Sequence, residues 1–254
     1  MVTTERAGER PARPGSRRRG RRPWWLLALA VVTVATVVYL VSAYVPPDMA
    51  TSRIPPRDAT HYALLVAHIF TAAVATVAGL AQFWPWLRSR HPVLHRWTGR
   101  AYFFAGVFPS GLLALPVIAY APFGASNQAA LLMLDVAWLF TGVAGYRAVR
   151  QRRYADHRRW MIRNYALTLG SLMSRVWGPL VTLAALPQLG DVPYRGDAHG
   201  LALNHDIASG GAWLGLIVNM IIAEWYIQRR YGVPRAVSAR PRSGHGSAST
   251  PAAR

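Results

Sequence analysis

The chain has no cysteine among its 254 residues. Disulfides, thiolate metal sites, iron–sulfur clusters and cysteine nucleophiles are therefore excluded. A metal or haem would have to be bound by histidine, methionine, carboxylate or tyrosine. The sequence also contains no P-loop, nucleophile elbow or dinucleotide-binding glycine motif, so no enzyme class can be assigned and enzyme activity stays open.

Charged residues are scarce and almost all of one sign. They make up 15% of the chain, against about 25% in a typical soluble protein. Lysine is absent, so the 29 basic residues are all arginine, and only 10 residues are acidic. The arginines alternate with long apolar runs, which favours an anionic lipid surface as their partner rather than nucleic acid. Arginine without lysine also indicates a bacterial genome rich in G and C.

Hydrophobic runs dominate the rest of the sequence. About 20 apolar residues are needed to cross a bilayer, and six segments meet that length. We therefore predict an all-α, polytopic membrane bundle within residues 23–230. The predicted spans are about 24–45, 61–83, 99–121, 127–149, 159–186 and 210–228. The flanking tails, 1–22 and 231–254, are rich in Arg, Pro, Gly and Ser and are predicted to be disordered.

Arginine distribution predicts the orientation, because arginine-rich loops stay in the cytoplasm. Arginines concentrate in the N-terminal tail, in the second-to-third and fourth-to-fifth connections, and after the sixth span. The opposite loops carry only Arg53, Arg57 and Arg195. We expect both termini in the cytoplasm and the protein in the plasma (inner) membrane. The first segment could instead be a cleaved signal peptide, although its length favours a retained anchor.

Ionisable residues within spans are expensive, and each is a candidate for function. His68, Asp135, Arg175 and Asn219 all lie about 10–16 Å from the outer ends of their spans at 1.5 Å per residue. They predict either an Asp135–Arg175 ion pair beside a satisfied His68, or a buried pocket for a cofactor, quinone or proton path. Nearer the cytoplasmic end, Arg163 and Glu224 predict a structural ion pair.

Two cytoplasmic stretches combine histidine, arginine and tryptophan: "HPVLHRWTGRAY" (91–102) and "DHRRWMIRNYA" (156–166). Their arginines and tryptophans could simply anchor the protein at the lipid interface. Alternatively, His95 and His157 could be axial haem ligands, with Arg96 and Arg100 neutralising the propionates. His68 is then the candidate ligand at the outer side. The possible cofactor is haem b.

These stretches carry a resemblance to a known family. "LHRWTGRAYF" and "HRRWMIRNYALTL", with the preceding "HIFTAAVATVAGLAQFW", resemble a family of bacterial multi-pass membrane proteins known as a domain of unknown function. The resemblance covers about residues 60–230, departs from the family at Thr98, and implies the fold and membrane location but no activity. Its motif positions here are His68, Gln82, His95, Arg96, Gly99, Arg100, His157, Trp160, Met161 and Arg163.

Three hypotheses follow. The first is a haem-binding or membrane redox protein that uses the histidines at the helix ends. The second is a small-molecule or proton transporter that uses the buried His68, Asp135, Arg175 and Asn219. The third is a non-catalytic scaffold or assembly factor whose protein partners the sequence does not identify.

Overall fold

The computed structural model describes residues 24–189 and 198–232, and every regular element in these ranges is helical. A short 3-10 turn, Met49–Thr51, lies between the first two helices. The helices are α1 Trp24–Ser42, α2 Ala59–Gln82, α3 Pro85–Arg90, α4 Pro92–Ala101, α5 Phe108–Ala119, α6 Gly124–Arg150, α7 Tyr154–Leu189 and α8 Ala198–Tyr231.

Local sequence signals explain where several helices begin. The Asp58 carboxylate accepts a hydrogen bond from the His61 N–H at 2.8 Å and caps α2. Prolines occupy the first position of α3 and of α4, where a missing N–H costs nothing. Between α6 and α7 the chain reverses in residues 151–153, with Arg152 at a positive φ of 60°. This short connection makes α6 and α7 antiparallel neighbours.

α4 and α5 form one long helix, because a π-helical segment, Tyr102–Val107, joins them without a break. The Phe108 N–H donates to the Phe103 carbonyl, five residues back, at the end of this segment. Pro109 follows directly, and proline can neither donate a hydrogen bond nor tolerate a close carbonyl from the preceding turn. The widened turn therefore accommodates the proline without ending the helix.

The helices pack in an order close to their order in the chain. α2 packs against α1 and the long α4–α5 helix, α5 packs against α6, and α7 contacts both α6 and α8. The buried centre is apolar and aromatic. Its members are Ala75, Leu80, Tyr102, Phe103, Val107, Leu134, Trp138, Tyr165, Leu167 and Leu216.

The surface is unusually apolar for a protein in water. Large hydrophobic side chains point outward, including Leu112 (64% exposed), Phe140 (62%) and Ile221 (62%). Four helical stretches are long and apolar enough to cross a membrane: Ala59–Gln82, Pro92–Ala119, Gly124–Arg150 and Ala202–Tyr231. The protein is therefore an all-helical membrane protein.

The predicted span boundaries differ from the helices themselves. The third predicted span began at residue 99, but its helix begins at Pro92, and the sixth began at 210, but its helix begins at Ala198. Hydropathy detects only the part of a helix that crosses the hydrocarbon, whereas helices continue into the interface. α8 also extends to Tyr231, the first residue of the predicted C-terminal tail. The predicted tails lie outside the described residues, except for residues 231 and 232.

Candidate functional site

The two histidine-containing stretches lie at one end of the bundle, which we call the His95 end. His95 is in α4, and His157 is in the first turn of α7, just after the short reversal from α6. Gln82, the last residue of α2, contacts His95. The end of α2 and the beginnings of α4 and α7 thus bring these side chains to one end of the bundle. Both histidines precede the apolar parts of their helices.

His157 is held by the backbone of the neighbouring helix. Its Nδ1 lies 2.9 Å from the carbonyl oxygen of Gly145 in α6. Since a carbonyl can only accept, Nδ1 carries the proton and donates it. Gly145 also lets α7 pack closely on α6, because a Cβ at that position would lie 3.2 Å from the Met161 sulfur. In the neutral imidazole, Nε2 is therefore unprotonated.

His95 is held by a side chain rather than by backbone. The hydrogen-bonding partners assign the orientation of the Gln82 amide: Oε1 accepts from the Thr98 hydroxyl at 2.6 Å and from the Gly99 N–H at 3.1 Å. The Nε2 of Gln82 then donates to Nδ1 of His95 at 3.0 Å. His95 and His157 are thus both oriented through Nδ1.

The two imidazoles are close enough to interact electrostatically. Burial lowers the pKa of His95, and the positive Arg88 and His157 lower it further. Burial also lowers the pKa of His157, hydrogen bonding to Gly145 raises it, and Arg158 lowers it. Since the ordinary value is about 6.5, both rings are neutral at pH 7. The geometry thus holds two neutral imidazoles, the form that ligates metal ions.

The arginines of these stretches lie around the site. Arg96 and Arg100 are both exposed, and the Arg100 guanidinium lies 4.9 Å from the centre of the Trp97 ring. Arg163 forms an ion pair with Glu224 of α8 through two hydrogen bonds and lies over the Trp160 ring at 4.9 Å. Arg96 and Arg100, the predicted propionate partners, are therefore exposed, whereas Arg163 is held in the predicted ion pair with Glu224.

The four polar residues predicted at one depth are not joined into one cluster. No hydrogen bond or ion pair links them within the described ranges. His68 Nδ1 interacts with the carbonyl and hydroxyl oxygens of Ser110 at 2.9 and 3.1 Å. The Asn219 amide donates to the Ala166 carbonyl at 3.0 Å and joins α8 to α7.

Asp135 and Arg175 also lie apart. Asp135 is 3% exposed, and its Oδ2 has no hydrogen-bond partner among the described residues. Arg175 is exposed and lies within electrostatic range of Tyr44 and Arg53, near the start of the first loop. The predicted Asp135–Arg175 ion pair is absent from the described residues, because equal depth along two helices does not fix which faces meet.

Sequence reasoning missed a buried hydrogen-bond network beneath the His95 end. The Tyr102 hydroxyl donates to Asn164 Oδ1 at 2.5 Å. The Asn164 amide nitrogen donates to Thr141 at 2.8 Å, and the Trp138 indole donates to Thr168 at 2.9 Å. The sequence did carry a signal, because each histidine stretch contains one of the two residues joined by the first of these bonds. "HRWTGRAY" ends at Tyr102, and "HRRWMIRNYA" contains Asn164.

Metal coordination by protein side chains alone has little support in the part of the chain described. No group of three or more His, Asp or Glu side chains there could hold a metal ion. The histidine pair can supply at most two protein ligands from this set. A bound metal would need its remaining ligands from another source.

Comparison with known sequences supplies the family. The profile described as "Predicted membrane protein (DUF2306)" matches residues 65–195, about half of the chain. The chain belongs to this family. The DUF2306 match includes His68, Gln82, His95 and His157 but ends before Glu224. Its description states a membrane location and no activity. No curated protein and no solved structure matches the chain.

Proposed function

We propose that this protein binds haem b at the His95 end, with His95 and His157 as the two axial ligands, and acts in membrane redox chemistry. One observation carries the proposal: two neutral imidazoles from different helices lie within electrostatic range of each other at one end of the bundle, each oriented through Nδ1. His157 is oriented as ligating histidines typically are, because its Nδ1 donates a hydrogen bond and leaves Nε2 unprotonated. Nδ1 of His95 accepts a hydrogen bond from Gln82, so His95 would have to carry its proton on Nδ1 instead before its Nε2 could bind iron.

The number of histidines favours haem over a bare metal ion. Haem brings four in-plane nitrogens and needs only axial ligands from the protein. The described residues offer no group of three side chains for an all-protein metal site. The positive charge beside the pair suits an anionic group, since Arg88 acts on His95 and the exposed Arg96 and Arg100 lie on the same helix. These arginines would neutralise the haem propionates.

The same proposal includes six spans with both termini in the cytoplasm. Beside the four long apolar stretches, α1 contains an apolar stretch, Leu26–Ser42, and α1 as a whole has 19 residues. That length gives about 28 Å, close to the 30 Å of the hydrocarbon. α7 has 36 residues and packs between α6 and α8. Because α6 and α8 each span the membrane and α7 runs antiparallel to both, α7 must cross the membrane as well. Six crossings leave both ends on one side.

Pairs of arginine and aromatic rings support this membrane position. At the His95 end, Arg229 lies 5.2 Å from the Trp225 ring, in addition to the Trp97 and Trp160 pairs. At the other end, Arg57 lies 4.5 Å from the Tyr120 ring. Trp97 lies near the start of the long α4–α5 helix, and Tyr120 follows its last residue. The two are about 35 Å apart along the helix axis, which suits the bilayer with its interfaces. The partner of the arginines is then anionic lipid on the cytoplasmic side of a bacterial plasma membrane.

Absorption spectroscopy tests the proposed function. Protein purified from haem-replete cells should show a Soret band and about one iron per chain. His95→Ala and His157→Ala should lose the band. His91→Ala is the matched control, because His91 is exposed at the same end and its ring lies against the Trp86 ring, with 4.2 Å between the ring centres. The proposal would be contradicted by colourless, iron-free wild-type protein, or by haem retained in the variant that carries both His95→Ala and His157→Ala.

A second candidate function, proton transport, is favoured by Asp135. Asp135 is buried in a span, and its Oδ2 has no hydrogen-bond partner among the described residues; an ionisable group in such a place is costly and is a candidate proton carrier. Asp135→Asn should abolish proton flux in proteoliposomes and leave insertion intact. Asp156→Asn is the control: it changes a half-buried carboxylate that pairs with Arg153 at the His95 end, and it should leave the flux unchanged. Unchanged flux in Asp135→Asn would exclude this candidate. The scaffold hypothesis stays a prediction from sequence.

A further inference from the structure

Gln82 is the residue on which the orientation of His95 depends. It ends α2, and its amide reaches across to α4. There it contacts Nδ1 of His95, the hydroxyl of Thr98 and the N–H of Gly99. A Cβ on Gly99 would lie 3.3 Å from the amide, so glycine provides the space for it.

The amide has two orientations with opposite consequences for His95. With its nitrogen toward Nδ1, Gln82 donates, and the His95 proton must be on Nε2. With its oxygen toward Nδ1, Gln82 accepts, and the proton moves to Nδ1, which frees Nε2 as a ligand. The first orientation satisfies both the nitrogen and the oxygen of the amide. The nitrogen donates to Nδ1 of His95, and the oxygen accepts from the Thr98 hydroxyl and the Gly99 N–H.

We propose that Gln82 selects the tautomer of His95 and holds Nε2 protonated until a ligand binds. His157 then presents an unprotonated Nε2 and His95 a protonated one, so the two rings are complementary donor and acceptor. If His95 and His157 held haem through their Nε2 atoms, the Gln82 amide would have to be rotated, and the neutral His95 ring would have to carry its proton on Nδ1 instead of Nε2. This last consequence depends on the proposed function, but the tautomer of the free protein does not.

Thr98 makes the rotation feasible. Its hydroxyl can donate to the Gln82 oxygen at 2.6 Å, to the Leu94 carbonyl at 2.9 Å or to the His95 carbonyl at 3.2 Å. When the amide nitrogen turns toward Thr98, the hydroxyl donates to a backbone carbonyl and accepts from the amide. The Gly99 N–H then faces the amide nitrogen, another donor. The rotated state is therefore disfavoured until a ligand occupies His95.

Nitrogen NMR of histidine-labelled protein in bilayers at pH 8 tests the inference directly. In the wild type, Nδ1 of His95 should be the unprotonated ring nitrogen. In Gln82→Glu, whose carboxylate only accepts, Nδ1 should become the protonated one. His157 provides an internal control, because its Nδ1 should stay protonated in every variant. A signal missing in His95→Asn assigns the resonance.

Two further variants complete the test. Gln82→Leu should give a mixture of His95 tautomers, and Gln128→Leu is the matched control, since that amide donates to the Ala119 and Ala121 carbonyls at the opposite end. A protonated Nδ1 in the wild type, or a spectrum unchanged by Gln82→Glu, would overturn the inference. Titration with haem is a separate measurement: Gln82→Glu should bind it several-fold more tightly, and absence of binding would contradict only the proposed function.

Discussion

The Tyr102 hydroxyl donates a hydrogen bond to Asn164 Oδ1 at 2.5 Å, and each residue lies seven positions after one of the paired histidines. Seven residues are two helical turns, so Tyr102 lies on the same face as His95, and Asn164 on the same face as His157. The two stretches therefore face each other over about 10 Å of helix. The buried hydrogen bond fixes the spacing of the histidines at the surface.

The first prediction concerns this hydrogen bond. Tyr102→Phe leaves Asn164 Oδ1 without its donor, which should lower the free energy of unfolding by about 1–3 kcal/mol. Equilibrium unfolding in detergent measures it. Tyr146→Phe is the control, because the structure gives the Tyr146 hydroxyl no hydrogen bond among the described residues. Equal losses in the two variants would contradict a special role for Tyr102.

Sequence reasoning predicted the helical class and both histidine stretches, because periodic apolar runs and loop charge are local signals. It did not predict which of the buried polar side chains meet. Asp135 and Arg175 were paired because their depths agree, yet Arg175 is exposed near the first loop. The depth of a residue in the membrane follows from its position along a span. Which faces of two helices meet depends on packing across the whole bundle.

The second prediction uses two glycines at the contact of α7 and α8. A Cβ on Gly215 would lie 2.5 Å from the Gly170 carbonyl oxygen, so Gly215→Ala must push backbone apart. We expect a loss of about 1–3 kcal/mol in the free energy of unfolding. Gly178→Ala should be tolerated, because its Cβ would meet only an Ile207 methyl at 4.0 Å. Similar stability of the two variants would show that this contact is not tight.

The third prediction concerns Arg163 and Glu224. Their side chains are 22% and 38% exposed, so water screens the pair in part. Glu224→Gln and Arg163→Gln should each destabilise the protein. The double variant should lose less stability than the sum of the two single losses. A double-mutant cycle should give a coupling of about 1 kcal/mol. A coupling of zero would mean that α7 and α8 are joined by packing alone.

The fourth prediction follows from the lowered pKa of His157. Burial is the main cause, so the folded ring binds a proton less readily than the unfolded one. Stability should be full above pH 6.5 and fall as the pH decreases below it, because protons then favour the unfolded chain. Unfolding measured from pH 8 to 5.5 checks this. His157→Asn should reduce the pH dependence, and an unchanged slope would contradict it.

The fifth prediction tests the orientation, and the absence of native cysteine makes it simple. Ala50→Cys, exposed in the loop after α1, should react with a membrane-impermeant maleimide in intact cells. Gln151→Cys, exposed in the reversal between α6 and α7, should react only after the cells are permeabilised. The cysteine-free parent controls for background labelling. The reverse pattern would place His95 and His157 outside the cytoplasm, where arginine-rich connections are not expected; the haem site would then have to draw its cofactor and electrons from that side.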